Sequence, residues 1–202
     1  MAITARQFEE IQKRLRGGNR VPAPAIESAR HPVARTHQII LGIDPSLRGT
    51  GYGVIQLDRP HPRVLAQGTI RCPAAWERSR CLVKIVRELR EVLQQHQPAV
   101  CVIEGLFYAQ NLQTALIMGE ARGASLATVA EAGLEIYEIA TRKVKQAIVG
   151  YGAAQKLAVA KMVQRLLRLP EMPEPDAADA LALALTHAQE HSRYSLAAPK
   201  RI

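Results

Sequence analysis

Cysteine is scarce in this chain: Cys72, Cys81 and Cys101 are the only three among 202 residues, and no two stand in C-x-x-C spacing. An odd count without paired spacing argues against a disulfide framework and predicts reduced thiols in a cytoplasmic setting. No apolar run reaches membrane-spanning length and the amino terminus carries no signal-peptide h-region, so neither a membrane span nor secretion is expected. The glycine-rich stretch at Gly49, Gly51 and Gly53 lacks the Gly-Lys-Ser/Thr ending of a phosphate-binding P-loop, which argues against that class of nucleotide site. Acids are missing over one long interval. Between Arg142 and Arg168 stand seven bases, Arg142, Lys143, Lys145, Lys156, Lys161, Arg165 and Arg168, with no Asp or Glu. Such a local excess suits a polyanion backbone.

Hydrophobic residues make up 48% of the sequence, enough for one substantial core and a single domain as the default. The formal net charge is +9. Residues 1–37 hold seven bases and three acids, and their Pro-Ala-Pro stretch reads as a linker. They are read as a mobile basic extension, followed by a body over 38–190 and a tail over 191–202.

The body is organised around Gln38–Ile55. Apolar residues fill four of the five positions from Ile39 to Ile43 and a lone carboxylate, Asp44, follows. This predicts a strand buried on both faces with Asp44 at its carboxyl end. The glycines after it would lead into an antiparallel hairpin and let a bulky partner approach the backbone beside Asp44. By itself the stretch fits an ordinary hairpin and a metal or phosphate site about equally. Further strands are expected at 63–70, 99–103 and 134–139. Helices are expected at about 76–95, 111–132, 141–149, 155–168 and 176–190. Hairpin strands followed by strand–helix alternation argue for an α/β sandwich with a mixed sheet.

Two of these apolar strands end in acids, Asp44 and Glu104. If they are neighbours, both carboxylates leave the same sheet edge, where α/β folds place ligands. Asp176 and Asp179 stand at i and i+3 of the last helix and therefore share a face. Dipole complementation at the helix start explains Asp176 well and Asp179 only passably. Four carboxylates in a partly buried pocket repel unless protonated or metal-bound. An all-oxygen set suits Mg²⁺ or Mn²⁺, and a two-metal arrangement is the usual device for in-line phosphodiester displacement.

The motifs Gly-Ile-Asp44-Pro-x4-Thr-Gly-Tyr-Gly-Val, Ile-Glu104-x2-Phe107, Ala-Arg122-Gly, Val-Lys145-Gln and Asp176-Ala-Ala-Asp179-Ala-Leu-Ala, with Thr-His187 beyond, resemble those of the RuvC Holliday-junction resolvases. The resemblance runs collinearly over about residues 38–190. It implies a ribonuclease-H-like fold with a five-stranded mixed sheet flanked by helices. It also implies a homodimer making paired nicks in four-way DNA during recombination and repair, and a branch-migration helicase complex as partner. By the same resemblance Asp44, Glu104, Asp176 and Asp179 are catalytic ligands of Mg²⁺, with two ions per site and Mn²⁺ as a substitute. Lys145 and Lys156 match lysines that contact DNA, and Phe107 matches an aromatic that stacks on bases. Arg122, Arg142 and Lys143 complete the expected DNA contacts. Other ribonuclease-H-like activities, on structured RNA or as an actin-like phosphotransferase, are rival readings, as is a junction-binding scaffold without activity.

Two residues depart from the family pattern, Ser46 after Asp-Pro and Gly105 after the glutamate, and neither removes a ligand. His187 lies eleven residues beyond Asp176, roughly 16 Å along a helix axis, so a structural role is expected for it. Ala115, Gly119, Gly123 and Ala127 form a small-residue stripe at i+4 spacing that permits close helix–helix approach.

Overall fold

A computed structural model describes residues 38–105, 112–192 and 200–202. The elements are β1 (Ile39–Asp44), β2 (Gly49–Gln56), β3 (Arg63–Arg71), α1 (Arg78–His96), β4 (Val100–Glu104), α2 (Leu112–Glu131), β5 (Glu135–Ile139), α3 (Thr141–Val149), α4 (Lys156–Leu166), α5 (Pro175–Ser192) and β6 (Lys200–Arg201). The strands form one mixed sheet in the order β3-β2-β1-β4-β5-β6. β1 is antiparallel to β2 and parallel to β4, and β4 is parallel to β5.

β1 sits in the middle of the sheet, and its apolar run is covered on both sides. Leu41 and Ile43 face a core that includes Ile85, Leu89 and Val129 of α1 and α2. Ile40 faces the opposite core, with Val144, Val159 and Leu181 of α3, α4 and α5. Ile40, Leu41 and Ile43 are fully buried, and burial of such side chains contributes about 1.5–3 kcal/mol each. α1 buries Cys81, Ile85, Leu89, Val92 and Leu93, a stripe at helical spacing whose polar faces look outward. Cys72, Cys81 and Cys101 are all buried free thiols, as the sequence predicts.

The last helix lies directly on the strand backbones. A Cβ placed on Gly42 would stand 1.9 Å from the Ala180 carbonyl oxygen, and one on Gly51 would stand 2.0 Å from that of Asp176. The bulky partner foreseen beside Asp44 is thus the chain's own α5. Its small residues Ala177, Ala178 and Ala180 are buried there.

The sixth strand corrects the five-stranded expectation. Lys200 and Arg201 pair antiparallel with Glu138 and Tyr137 of β5. The Ile202 N–H donates to the Ile136 carbonyl at 3.0 Å, and Arg201 pairs with Glu135 at 3.0 Å. Two residues carry no readable period, so the tail gave no sign of a strand.

Candidate active site

Strand register places the first two acids. Ile43 pairs with Ile103 in the parallel β1–β4 ladder, so Asp44 and Glu104 follow side by side at the same edge. Their side chains are hydrogen-bonded to each other. Burial first, and then the Glu104 carboxylate, push the Asp44 carboxyl up to about 8. Asp44 therefore keeps its proton at neutral pH, and the hydrogen bond to Glu104 helps hold it.

α5 supplies the other two. Asp44 pairs with Gly51 across the β1–β2 hairpin, and the Asp176 backbone rests on Gly51. Asp179 lies one turn further on, its carboxyl raised by burial and lowered by Lys156. The Lys156 ammonium stands 2.7 Å from Asp179 Oδ2. Its own proton is held more tightly through that hydrogen bond.

Two helices begin at this cluster. Thr141, the first residue of α3, donates its hydroxyl to Glu104 Oε1 at 2.5 Å, and Lys156 is the first residue of α4. Neither helix has an acid in its first turn or a side-chain cap. Their positive ends thus favour the negative charge gathered there.

Among the described residues, no three acid, His or Cys side chains are grouped as they would be around a bound ion. Two positive charges do sit among the acids: the proton that Asp44 keeps, and the Lys156 ammonium paired with Asp179. These are positive charges that a divalent cation would replace, and the four donors are all hard carboxylate oxygens. The donor set therefore fits Mg²⁺ or Mn²⁺.

The expected DNA contacts divide. Arg142 and Lys145 line a cleft of about 610 Å³ with Thr141 and Tyr151. Lys143 instead pairs with Glu190 at 2.6 Å. Arg122 is a correction: its side chain is 7% exposed, and its guanidinium donates to the Glu104 carbonyl and to the Glu138 carboxylate. It ties the end of β4 to β5 instead of presenting itself to a DNA backbone. Phe107 lies outside the described residues.

The departures and the histidine also find places. Thr50 clasps Ser46, donating its hydroxyl to the Ser46 carbonyl at 2.6 Å and accepting the Ser46 N–H at 3.2 Å, which fixes the turn after Asp44. A Cβ on Gly105 would stand 3.3 Å from Glu138 Cγ, so this glycine leaves room for the acid that Arg122 grips. His187 is fully buried with its ring 4.8 Å from that of Tyr137, a structural position as foreseen.

Thr141 and Glu138 escaped sequence reasoning. A threonine at a helix start reads as an N-cap, and a glutamate in a half-buried strand reads as solvent-facing.

A mixed sheet whose adjacent parallel strands end in carboxylates, completed by two aspartates of a packed helix, defines a nuclease of the ribonuclease-H-like class. Residues 40–187 match the family model for the crossover junction endodeoxyribonuclease RuvC. The chain is 46% identical to the crossover junction endodeoxyribonuclease RuvC of Akkermansia muciniphila over 148 residues, 73% of this chain and 89% of that one. To the RuvC of Shewanella amazonensis it is 45% identical over 153 residues, 76% of this chain and 88% of that one. Among solved structures, T. thermophilus RuvC in complex with Holliday junction substrate superposes with a TM-score of 0.73 at 34% identity, covering 81% of this chain and 100% of that one. The chain belongs to the RuvC family of crossover junction endodeoxyribonucleases.

Proposed function

We propose that this protein resolves four-way DNA junctions by paired, symmetric, metal-dependent hydrolysis of phosphodiester bonds. The observation that carries the reading is that Asp44 and Glu104 touch, with Asp179 within electrostatic reach and Asp176 one turn before it on α5, beside a cleft lined with basic residues. Asp44, Glu104, Asp176 and Asp179 would hold Mg²⁺, two ions per site with Mn²⁺ as a substitute, which supplies an activated water and offsets charge on the phosphate. Thr141 holds the Glu104 carboxylate in place through its hydroxyl, and Arg122 fixes the strand end beneath it. Lys156 is 68% exposed in its side chain and within reach of Asp179. It is placed to donate to a phosphate oxygen as negative charge develops. Arg142 and Lys145 would seat the flanking backbone. A branch-migration helicase is the proposed partner in the cell, and the cytoplasm the proposed compartment. No described helix is long and apolar enough to cross a membrane.

Removing Lys145 or Lys156 should weaken junction binding and flatten its log–log salt dependence by about one unit for each phosphate no longer neutralised. Fluorescence anisotropy across a salt series reads that slope. An unchanged slope for both variants would return the basic stretch to a merely solvated face.

Two cuts at related positions call for two copies of the chain about a two-fold axis. The outer face of α2 is the candidate interface: Leu112 is 76% and Leu116 59% exposed, and the stripe runs on through Gly119 and Gly123. A Cβ on either glycine meets nothing within 4 Å, so Gly119→Leu and Gly123→Leu fit the single chain. Both should nonetheless shift the protein towards monomer by light scattering. In a cruciform-plasmid assay, paired cutting should fall far more than single nicking. A dimer of unchanged stability would remove this face from the interface.

A further inference from the structure

Tyr151 takes no part in the carboxylate cluster, yet its position is hard to explain as packing. It is 66% exposed, and it belongs to neither hydrophobic cluster among the described residues. It is not on a loose loop. Gly150, in the left-handed conformation at φ 86°, ends α3 with its N–H on the Gln146 carbonyl. The Ala154 N–H then donates to the Tyr151 carbonyl at 3.1 Å, closing the turn into α4. On the other side, a Cβ at Gly152 would stand 2.8 Å from Arg142 Cγ, so the Arg142 stem lies across that glycine. A large ring is therefore held out towards water on a fixed turn, between two glycines and beside a cation.

The surroundings indicate what it meets. Tyr151, Arg142, Lys145 and Thr141 line one cleft of about 610 Å³, a volume ample for a nucleotide. Thr141 touches Glu104 from one side of the turn, and Lys156 touches Asp179 from the other. Tyr151 is thus bracketed in sequence by the two residues that grip the acids. It also sits within the 27 residues from Arg142 to Arg168 that hold seven bases and no acid. An exposed ring set among cations at a site for a phosphate backbone is the arrangement on which unstacked bases rest.

We infer that Tyr151 is a stacking platform for a base next to the cut phosphate, one freed from its neighbours at the branch point. The inference rests on the resolvase reading and adds an interaction that the family motifs in this sequence do not contain. The hydroxyl is not required, because the stacking is made by the face of the ring.

The test uses the full chain with EDTA present and a four-way junction carrying 2-aminopurine on either side of the cut phosphate. The wild type and Tyr151→Phe should bind alike and quench the probe. Tyr151→Ala should bind the junction about 5- to 160-fold more weakly, the range of one base–aromatic stack, and should leave the probe bright. The residue is exposed, so an unchanged melting temperature is expected and separates a missing stack from a damaged fold. The same preparations are then assayed for junction cleavage in Mg²⁺. If the wild type cuts junctions while Tyr151→Ala binds and quenches as it does, this inference falls and the resolvase reading stands. If the wild type neither binds nor cuts four-way DNA, that reading falls and takes the inference with it.

Discussion

Asp44→Asn should lower junction cleavage by on the order of a thousandfold or more while leaving junction binding unchanged or tighter. Asp44 lies at the centre of the charge cluster, hydrogen-bonded to Glu104 and acting on Asp179 through space. An amide at this position removes a hard anionic ligand and keeps the shape, so the loss falls on chemistry. With a divalent cation present, where Asp44 would be ionised, the amide takes away one negative charge facing the phosphates, so binding holds or gains. Asp179→Asn should behave likewise and also free the Lys156 ammonium.

The same variant has a signature in stability that needs no substrate. In an unfolded chain Asp44 would titrate near 3.9, whereas in the fold it holds its proton up to about 8. The folded state therefore binds that proton more tightly. Its stabilising contribution is complete below the unfolded value and is lost as pH rises towards 8. With chelator present, the wild type should melt progressively lower between pH 5 and pH 8. Asp44→Asn should flatten that decline. Scanning calorimetry over the pH range reads both curves, and parallel curves would show that Asp44 does not carry the buried proton.

Gly42→Ala and Gly51→Ala should be the most damaging small substitutions outside the acids. Each places a methyl about 2 Å from a carbonyl oxygen of α5, and the obstacle is backbone that cannot rotate aside. Overpacking of this kind costs about 1–3 kcal/mol and occasionally more. The upper end applies here, because relief requires lifting the whole helix. At about 2–4 °C of melting temperature per kcal/mol for a domain of this size, a drop of about 10 °C is expected. Activity should fall by more than the unfolded fraction explains, since a lifted α5 carries Asp176 and Asp179 away from Asp44. A variant melting like the wild type would show that the helix does not seat on these glycines.

Much of this architecture was legible in the residues. Continuous apolar runs marked β1 and β4 as strands covered on both faces; one terminal acid fits a turn as well as a site, and it was the repeat of the pattern at Glu104 that pointed to chemistry. The i, i+3 aspartates placed their pair on one face of α5. The glycines were readable as a floor for something bulky but not as the seat of α5, since close approach is a property of two elements and a sequence shows one at a time. Arg122 was misjudged for a related reason. An arginine reads as exposed by default, and only the fold brings Glu138 and the Glu104 carbonyl around its guanidinium. The two-residue β6 had too little length to carry any pattern.

The central claim is that these four acids cut opposed strands of a branched DNA. The most direct measurement labels each strand of a synthetic four-way junction in turn and maps cleavage by the wild type with and without Mg²⁺, beside linear duplex and structured RNA. Metal-dependent nicks are expected at symmetric positions in two opposite strands, with duplex and RNA left intact. Cutting of linear duplex as readily as junctions, or single unpaired nicks scattered over all four strands, would contradict it.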